Sequence, residues 1–215
     1  FGDGYTSTVP DPAHIYAQSG TFTVTLTITD VSGCTATKTR TFTVASAPIA
    51  GFSVSVPGCN NSAVTFTDLS NGNGGTLSTW HWVFGDGHDT TYTSFTPALT
   101  HTYSQASTFT VKLTVYTQNG CENTWQQNIT ISPSPVAGFA YQNTCEGAAT
   151  QFNDQSVAGG SLTIVSWNWN FGDPGSGTAN TSALKDPAHT FTGAGTYQVT
   201  LVATNAAGCS DSAQL

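Results

Sequence analysis

In the segment Phe22-Thr23-Val24-Thr25-Leu26-Thr27-Ile28, apolar residues hold the even positions and threonine the odd ones. A strict period of two sends successive side chains to opposite faces, so this segment reads as a strand with one face buried. The same alternation returns in Phe109-Thr110-Val111-Lys112-Leu113-Thr114-Val115 and in Tyr197-Gln198-Val199-Thr200-Leu201. Shorter alternating runs, Val64-Thr65-Phe66-Thr67, Trp80-His81-Trp82-Val83-Phe84 and Trp167-Asn168-Trp169-Asn170-Phe171, are separated by turn-forming stretches such as Asn71-Gly72-Asn73-Gly74-Gly75. No stretch shows a comparable helical period, and the expectation is an all-β chain.

The strands belong to a larger repeat. An aromatic-Gly-Asp turn, a His-x-aromatic step, a Thr-studded strand and a Gly-Cys pair recur three times. Copy one has Phe1-Gly2-Asp3-Gly4, His14-Ile15-Tyr16 and Gly33-Cys34; copy two has Phe84-Gly85-Asp86-Gly87, His101-Thr102-Tyr103 and Gly120-Cys121; copy three has Phe171-Gly172-Asp173-Pro174, His189-Thr190-Phe191 and Gly208-Cys209. The aspartates are 86 − 3 = 83 and 173 − 86 = 87 residues apart. That spacing is too long for a solenoid unit and suits a small independent β-domain. About seven short strands per copy imply tandem immunoglobulin-like sandwiches, with boundaries expected at 1–47, 48–133 and 134–215. Copies one and three read as cut, which makes the sequence a window on a longer polypeptide. The linkers Ala45-Ser46-Ala47-Pro48 and Ser132-Pro133-Ser134-Pro135 carry proline, which favours extended backbone and restrains adjacent domains.

The run Trp82-Val83-Phe84-Gly85-Asp86-Gly87, with His101, Tyr103 and the strand from Phe109, resembles the signature of PKD (polycystic kidney disease) domains. Trp169-Asn170-Phe171-Gly172-Asp173 and His189 repeat it, with Pro174 in place of the last glycine, so the turn in copy three should differ. The resemblance covers essentially the whole chain and implies PKD-type β-sandwiches. The Thr-rich copies with a Gly-Cys hairpin also look like those in giant cell-surface proteins of gliding or adhesive Bacteroidota.

Charged residues are only 7% of the chain, against about a quarter in typical soluble domains. The net charge of −8 includes just four bases, Lys38, Arg40, Lys112 and Lys185, so there is no cationic footprint for nucleic acid or anionic lipid. No apolar run reaches the length of a membrane helix. Absence of Met, scarcity of Lys and one cysteine at the same late position of each copy point to a secreted, oxidising setting.

Asp3, Asp86 and Asp173 follow a glycine at a strand end, where an Asp carboxylate accepts bonds from nearby backbone N–H groups. The other reading is a calcium ligand, as in some PKD-like modules of secreted enzymes, although no EF-hand or nonapeptide spacing of acids surrounds them. No cofactor is otherwise expected. His14, His101 and His189 are expected to anchor the turn beside an aromatic ring. No nucleophile elbow, Cys/His dyad or recurring carboxylate pair supports catalysis, so the segment is not expected to be an enzyme. Among Tyr92, Phe95, Trp125 and Tyr141, Trp125 is the candidate for stacking on a sugar, because copies one and three place Lys38 and Ala213 at its position. Asn60, Asn128 and Asn180 begin N-glycosylation triplets, and Asp89-Thr90-Thr91 and Asp211-Ser212-Ala213 resemble O-glycan acceptors.

Five cysteines leave the pairing open between two schemes. Within repeats, Cys59 would join Cys121 and Cys145 would join Cys209. Strand direction favours the other scheme: the first turn and the last hairpin of a seven-strand sandwich lie at opposite ends. A strand spans about 20 Å, whereas a disulfide needs Cα atoms within about 7 Å. Between repeats, the first turn of one copy faces the last hairpin of the next, which joins Cys59 to Cys209 and leaves Cys34, Cys121 and Cys145 to neighbouring copies. The expected function is therefore an extracellular structural or adhesive rod, stalk or filament at a bacterial cell surface. Its partners would be neighbouring repeats, like chains, or surface glycans or proteins. The alternative is a spacer or binding module of a secreted hydrolase.

Overall fold

The computed structural model describes residues 1–55 and 58–215. Its regular structure is β apart from one short 3-10 segment. The chain divides into two compact units: Phe1–Ser53, Asp68–Pro97 and Val111–Gln127 form one, and Val54–Thr67, Ala98–Thr110 and Asn128–Leu215 form the other.

In the first unit, β1 (Gly20–Thr29) and β2 (Thr35–Val44) of copy one form an antiparallel hairpin in register from Gly20 opposite Val44 to Thr29 opposite Thr35. Threonines face each other across it, with Thr21 and Thr43, and Thr27 and Thr37, bonded Oγ to Oγ at 3.3 Å. Such cross-strand hydroxyl pairs hold register on an exposed face. Copy two, whose strands are divided between the two units, has β3 (Phe52–Val54), β4 (Ala63–Asp68), β5 (Leu77–Val83), β6 (Asp89–Tyr92), β7 (Ala98–Thr102), β8 (Ser107–Thr117) and β9 (Glu122–Ile131). They form a three-stranded sheet in the order β3-β4-β7 and a four-stranded sheet in the order β6-β5-β8-β9. Trp82 on β5 lies opposite Leu113 on β8 and Thr90 on β6.

Within the second unit, copy three repeats that arrangement. Its strands are β10 (Phe139–Tyr141), β11 (Thr150–Asp154), β12 (Ile164–Asn170), β13 (Thr181–Ser182), β14 (Ala188–His189), β15 (Thr200–Asn205) and β16 (Ser210–Gln214). The sheets run β10-β11-β14 and β13-β12-β15-β16. Phe139 and Phe152 of the first sheet meet Trp169 of the second at ring-centroid distances of 5.0 and 5.6 Å. With Phe171, Val199 and Leu201 they form the buried core. Trp169 satisfies its indole N–H on the Leu184 carbonyl at 2.9 Å, so a large ring is buried at no hydrogen-bond cost.

The period of two sets which face each residue takes, and the second sheet sets whether that face is closed. Leu113 and Val115 are 0% exposed in copy two, whereas the corresponding Leu26 and Ile28 of the copy-one hairpin are 59% and 61% exposed. Pro174 begins a 3-10 segment, Pro174–Asn180, interrupted at Gly177. The Phe171 N–H therefore reaches on to the Asn180 carbonyl, while in copy two the Phe84 N–H closes on His88 four residues away. Proline at the first helical position explains why copy three takes this longer route.

Candidate functional site: the junction between repeats

The aromatic-Gly-Asp turn is built by a glycine that no other residue can replace without strain. Gly172 has φ +68, and a Cβ there would lie 2.4 Å from the carbonyl oxygen of Gln198. Gly2 (φ +92) is pressed in the same way, 2.6 Å from the carbonyl oxygen of Thr23. The turn thus lies directly on the backbone at Thr23 of β1 in copy one and at Gln198, just before β15, in copy three, and the aspartate that follows is aimed at the His-x-aromatic step. Asp173 accepts bonds from the Thr192 N–H at 3.0 Å and the Thr192 hydroxyl at 2.7 Å, and its Oδ2 lies 3.1 Å from Nε2 of His189. The hydroxyl bond from Thr192, together with the Thr192 N–H and His189, outweighs burial and holds the Asp173 carboxyl below its usual value of 3.8. An ionised carboxylate only accepts, so Nε2 of His189 carries the proton. The imidazole stacks on Phe171 at 4.3 Å and meets Phe191 edge-on at 4.6 Å.

Copy one repeats these contacts with Asp3 and His14 (2.6 Å) and with Phe1 and Tyr16 around the imidazole at 4.1 and 4.6 Å. In copy two, Asp86 accepts the His88 N–H at 3.1 Å, and His101 meets Tyr103 edge-on at 4.6 Å. In every copy the aspartate is engaged by a backbone amide and has an imidazole beside it, that of His14, His88 or His189.

A second set of polar residues holds the Gly-Cys hairpins. Each hairpin has an oxygen-bearing side chain four residues before its cysteine, and that oxygen accepts the cysteine N–H: Asp30 Oδ1 for Cys34 at 2.9 Å, Thr117 Oγ1 for Cys121 at 3.2 Å and Asn205 Oδ1 for Cys209 at 3.1 Å. Asn205 alone also brings an NH₂ group. Although it is 0% exposed, all its polar side-chain atoms are bonded: Oδ1 accepts the N–H of Ala207 and Cys209, and Nδ2 donates to the carbonyls of Pro133 and Ala158, each at 2.8 Å. The amide thereby ties the copy-three hairpin to the linker.

From the other side, the first turn of copy two holds the same linker. Cys59 forms a parallel bridge with Ser132, and the Asn60 N–H donates to the Ser132 carbonyl at 3.0 Å. Asn60 Oδ1 accepts the Ser134 N–H at 2.6 Å, and the Ser134 hydroxyl donates to the Asn60 carbonyl at 2.8 Å. Further along, the Ala137 N–H donates to Asp211 Oδ2 at 2.9 Å. Across this laced segment the Sγ atoms of Cys59 and Cys209 are bonded, with Cα atoms 5.8 Å apart and 150 residues between them in sequence. Cys34, Cys121 and Cys145 are free thiols. Asn60, an N-glycosylation candidate by triplet, has its carboxamide engaged in the junction.

Asn205 and Ser134 carry no signal in a single copy. A polar oxygen four residues before every Gly-Cys cysteine, as Asp30, Thr117 and Asn205, is visible once the copies are aligned. The aromatic candidates are dispersed: Tyr92 lies opposite Trp80, Phe95 rests against Trp80 at 6.0 Å, Tyr141 lies against Phe152 at 5.9 Å, and Trp125 stands 49% exposed on β9.

Seven short strands in two facing sheets, repeated along the chain, define tandem immunoglobulin-like β-sandwich domains. The PKD domain profile matches residues 1–44, 45–132 and 131–215. The chain belongs to the PKD domain family. A microbial collagenase of Vibrio alginolyticus is 48% identical over 44 residues, which make up 20% of this chain and 5% of the collagenase. Among solved structures, the PKD1 domain of Vibrio anguillarum Epp is 27% identical, with 41% of this chain and 96% of that domain covered at a TM-score of 0.36. The PKD1 domain of the Vibrio cholerae metalloprotease PrtV is 32% identical over 40% of this chain and 96% of that domain, at a TM-score of 0.35.

Proposed function

We propose that this chain is part of an extracellular rod, stalk or filament at a bacterial cell surface, built from repeats bounded at 1–47, 48–133 and 134–215, and that it acts by holding distance rather than by transforming a substrate. The observation that carries this reading is the Cys59–Cys209 staple across a linker bonded on both sides. A covalent link between successive copies resists separation in a way that hydrogen bonds exposed to water do not, and it suits an oxidising compartment. Stability then adds up from domain and neighbour terms along the array. Small-angle scattering on the oxidised chain and on a Cys59→Ser/Cys209→Ser variant tests the reading. A narrower distribution of end-to-end dimensions in the oxidised chain is expected, and indistinguishable distributions would defeat it.

One observation favours a second reading, a spacer or binding module of a secreted hydrolase: Trp125 is a half-exposed indole on a strand where the other copies have Lys38 and Ala213. The protein that shares 48% identity over 44 residues is a microbial collagenase by its name. Saturable retention on an insoluble polysaccharide or on collagen fibres, lost in Trp125→Ala, would support it, and no retention would remove it.

A further inference from the structure

Two halves of the copy-two to copy-three joint recur elsewhere in the chain with their cysteines unpaired. The first turn of copy two closes with the Ser62 N–H on the Cys59 carbonyl and places Asn61 at φ 60. The first turn of copy three closes in the same way, the Ala148 N–H bonding the Cys145 carbonyl with Gly147 at φ 77. Cys145 is exposed at that turn. On copy two Ile131 of β9 lies against Gly58 of the matching turn, and Ser134 of the linker bonds Asn60. Glu146 stands where Asn60 stands and offers the same side-chain acceptor for a linker N–H.

The other half is the Gly-Cys hairpin. At Cys34, Cys121 and Cys209 the same two bonds shape the tip: Asp30, Thr117 and Asn205 each donate their N–H to the cysteine carbonyl at 2.9 Å, and each accepts the N–H of a glycine at φ 84, 78 and 83 respectively. Cys34 is exposed at its tip. The bonded pair therefore consists of one turn of the Cys145 type and one hairpin of the Cys34 type, and both recur unpaired.

From this geometry we propose that the Cys145 turn of copy three is a covalent docking site for the Gly-Cys hairpin of another copy of this repeat, so that the staple seen once continues as a chain of staples. The inference rests on the structural reading above. Chemically, the Cys145 thiolate displaces one thiol from a small-molecule disulfide such as glutathione disulfide. The hairpin thiolate then attacks the resulting mixed disulfide. One protein disulfide forms, the oxidant is reduced to two thiols, and those thiols take up the two cysteine protons.

The full chain tests this, because it carries both halves. Incubated at high concentration in a glutathione redox buffer and digested without reduction, it should yield intermolecular peptides that join Cys145 to Cys34 or to Cys121, together with the intramolecular Cys59–Cys209 peptide. Cys145→Ser should lower the cross-linked fraction to that of the reduced sample, with the circular dichroism spectrum unchanged. Cross-links only of Cys145 to Cys145 or of hairpin cysteine to hairpin cysteine, or no cross-link at all, would overturn the proposal. Failure with the Cys59–Cys209 peptide present removes the continuing staple alone, and absence of that peptide removes the structural reading as well.

Discussion

Replacing both Cys59 and Cys209 by serine removes the staple without leaving an odd thiol, and its effect can be worked from the chain path. If copy three unfolds while copy two stays folded, the bridge between Cys59 and Ser132 holds one end of the loop in place. The loop closed by the disulfide then runs from Ser132 to Cys209, 209 − 132 = 77 residues. Loop-closure entropy for that length is about 4.5 kcal/mol at 25 °C, little less than the roughly 5 kcal/mol for the full separation of 150 residues. Measured disulfides commonly contribute about 2–4 kcal/mol. At about 4–8 °C per kcal/mol for a domain of this size, the midpoint of thermal unfolding should fall by about 8 °C or more. The assay is a melt of the oxidised chain against the double variant, followed by tryptophan fluorescence, with thiol titration to establish the redox state. Oxidised protein should show three free thiols, those of Cys34, Cys121 and Cys145. Coincident melts of the oxidised chain and the variant, or a peptide joining Cys59 to Cys121, would refute the reasoning.

Gly172→Ala forces a side chain into the left-handed region at a cost of about 1–2 kcal/mol and sets its Cβ 2.4 Å from the Gln198 carbonyl oxygen. Denaturant titration should show copy three destabilised by more than the backbone term alone, and an unchanged midpoint would show that the strand yields freely. The Asp173 carboxyl is held below 3.8 in the fold by Thr192 and then by His189. A depressed carboxylate stabilises above its unfolded value and loses that contribution as pH falls towards its folded one. The stability gap between the wild type and Asp173→Asn should therefore be widest at neutral pH and close in acid, while a gap of constant size would exclude the linkage. Asn205→Thr copies the residue of copy two; it keeps an acceptor for the Cys209 N–H and withdraws the donor to Pro133 and Ala158. Leaving those carbonyls unpaired should cost about 1–3 kcal/mol and speed hydrogen exchange of the Ser134 amide. Unaltered exchange there would dissociate Asn205 from the junction.

The strands and their register of inward and outward residues were legible in the chain itself. Alternation of Thr with Phe, Val and Leu has one geometric meaning in extended backbone, and the repeat placed Trp82 and Trp169, Phe84 and Phe171, and each Gly-Asp turn in equivalent settings. The glycine of that turn and the polar oxygen four residues before each late cysteine are local features, readable by aligning copies. Longer-range matters were not local. Identical alternation in β1 and β8 ends in open Leu26 and closed Leu113, because burial depends on a facing sheet that the strand does not contain. The partner of Cys59 lies 150 residues away; strand direction narrowed the choice, but only the path of the linker between Asn60 and Asn205 brings Cys209 to it. A period of two is a property of one strand, whereas the junction comes from how one domain's first turn meets the next domain's last hairpin, and only the folded chain sets that distance.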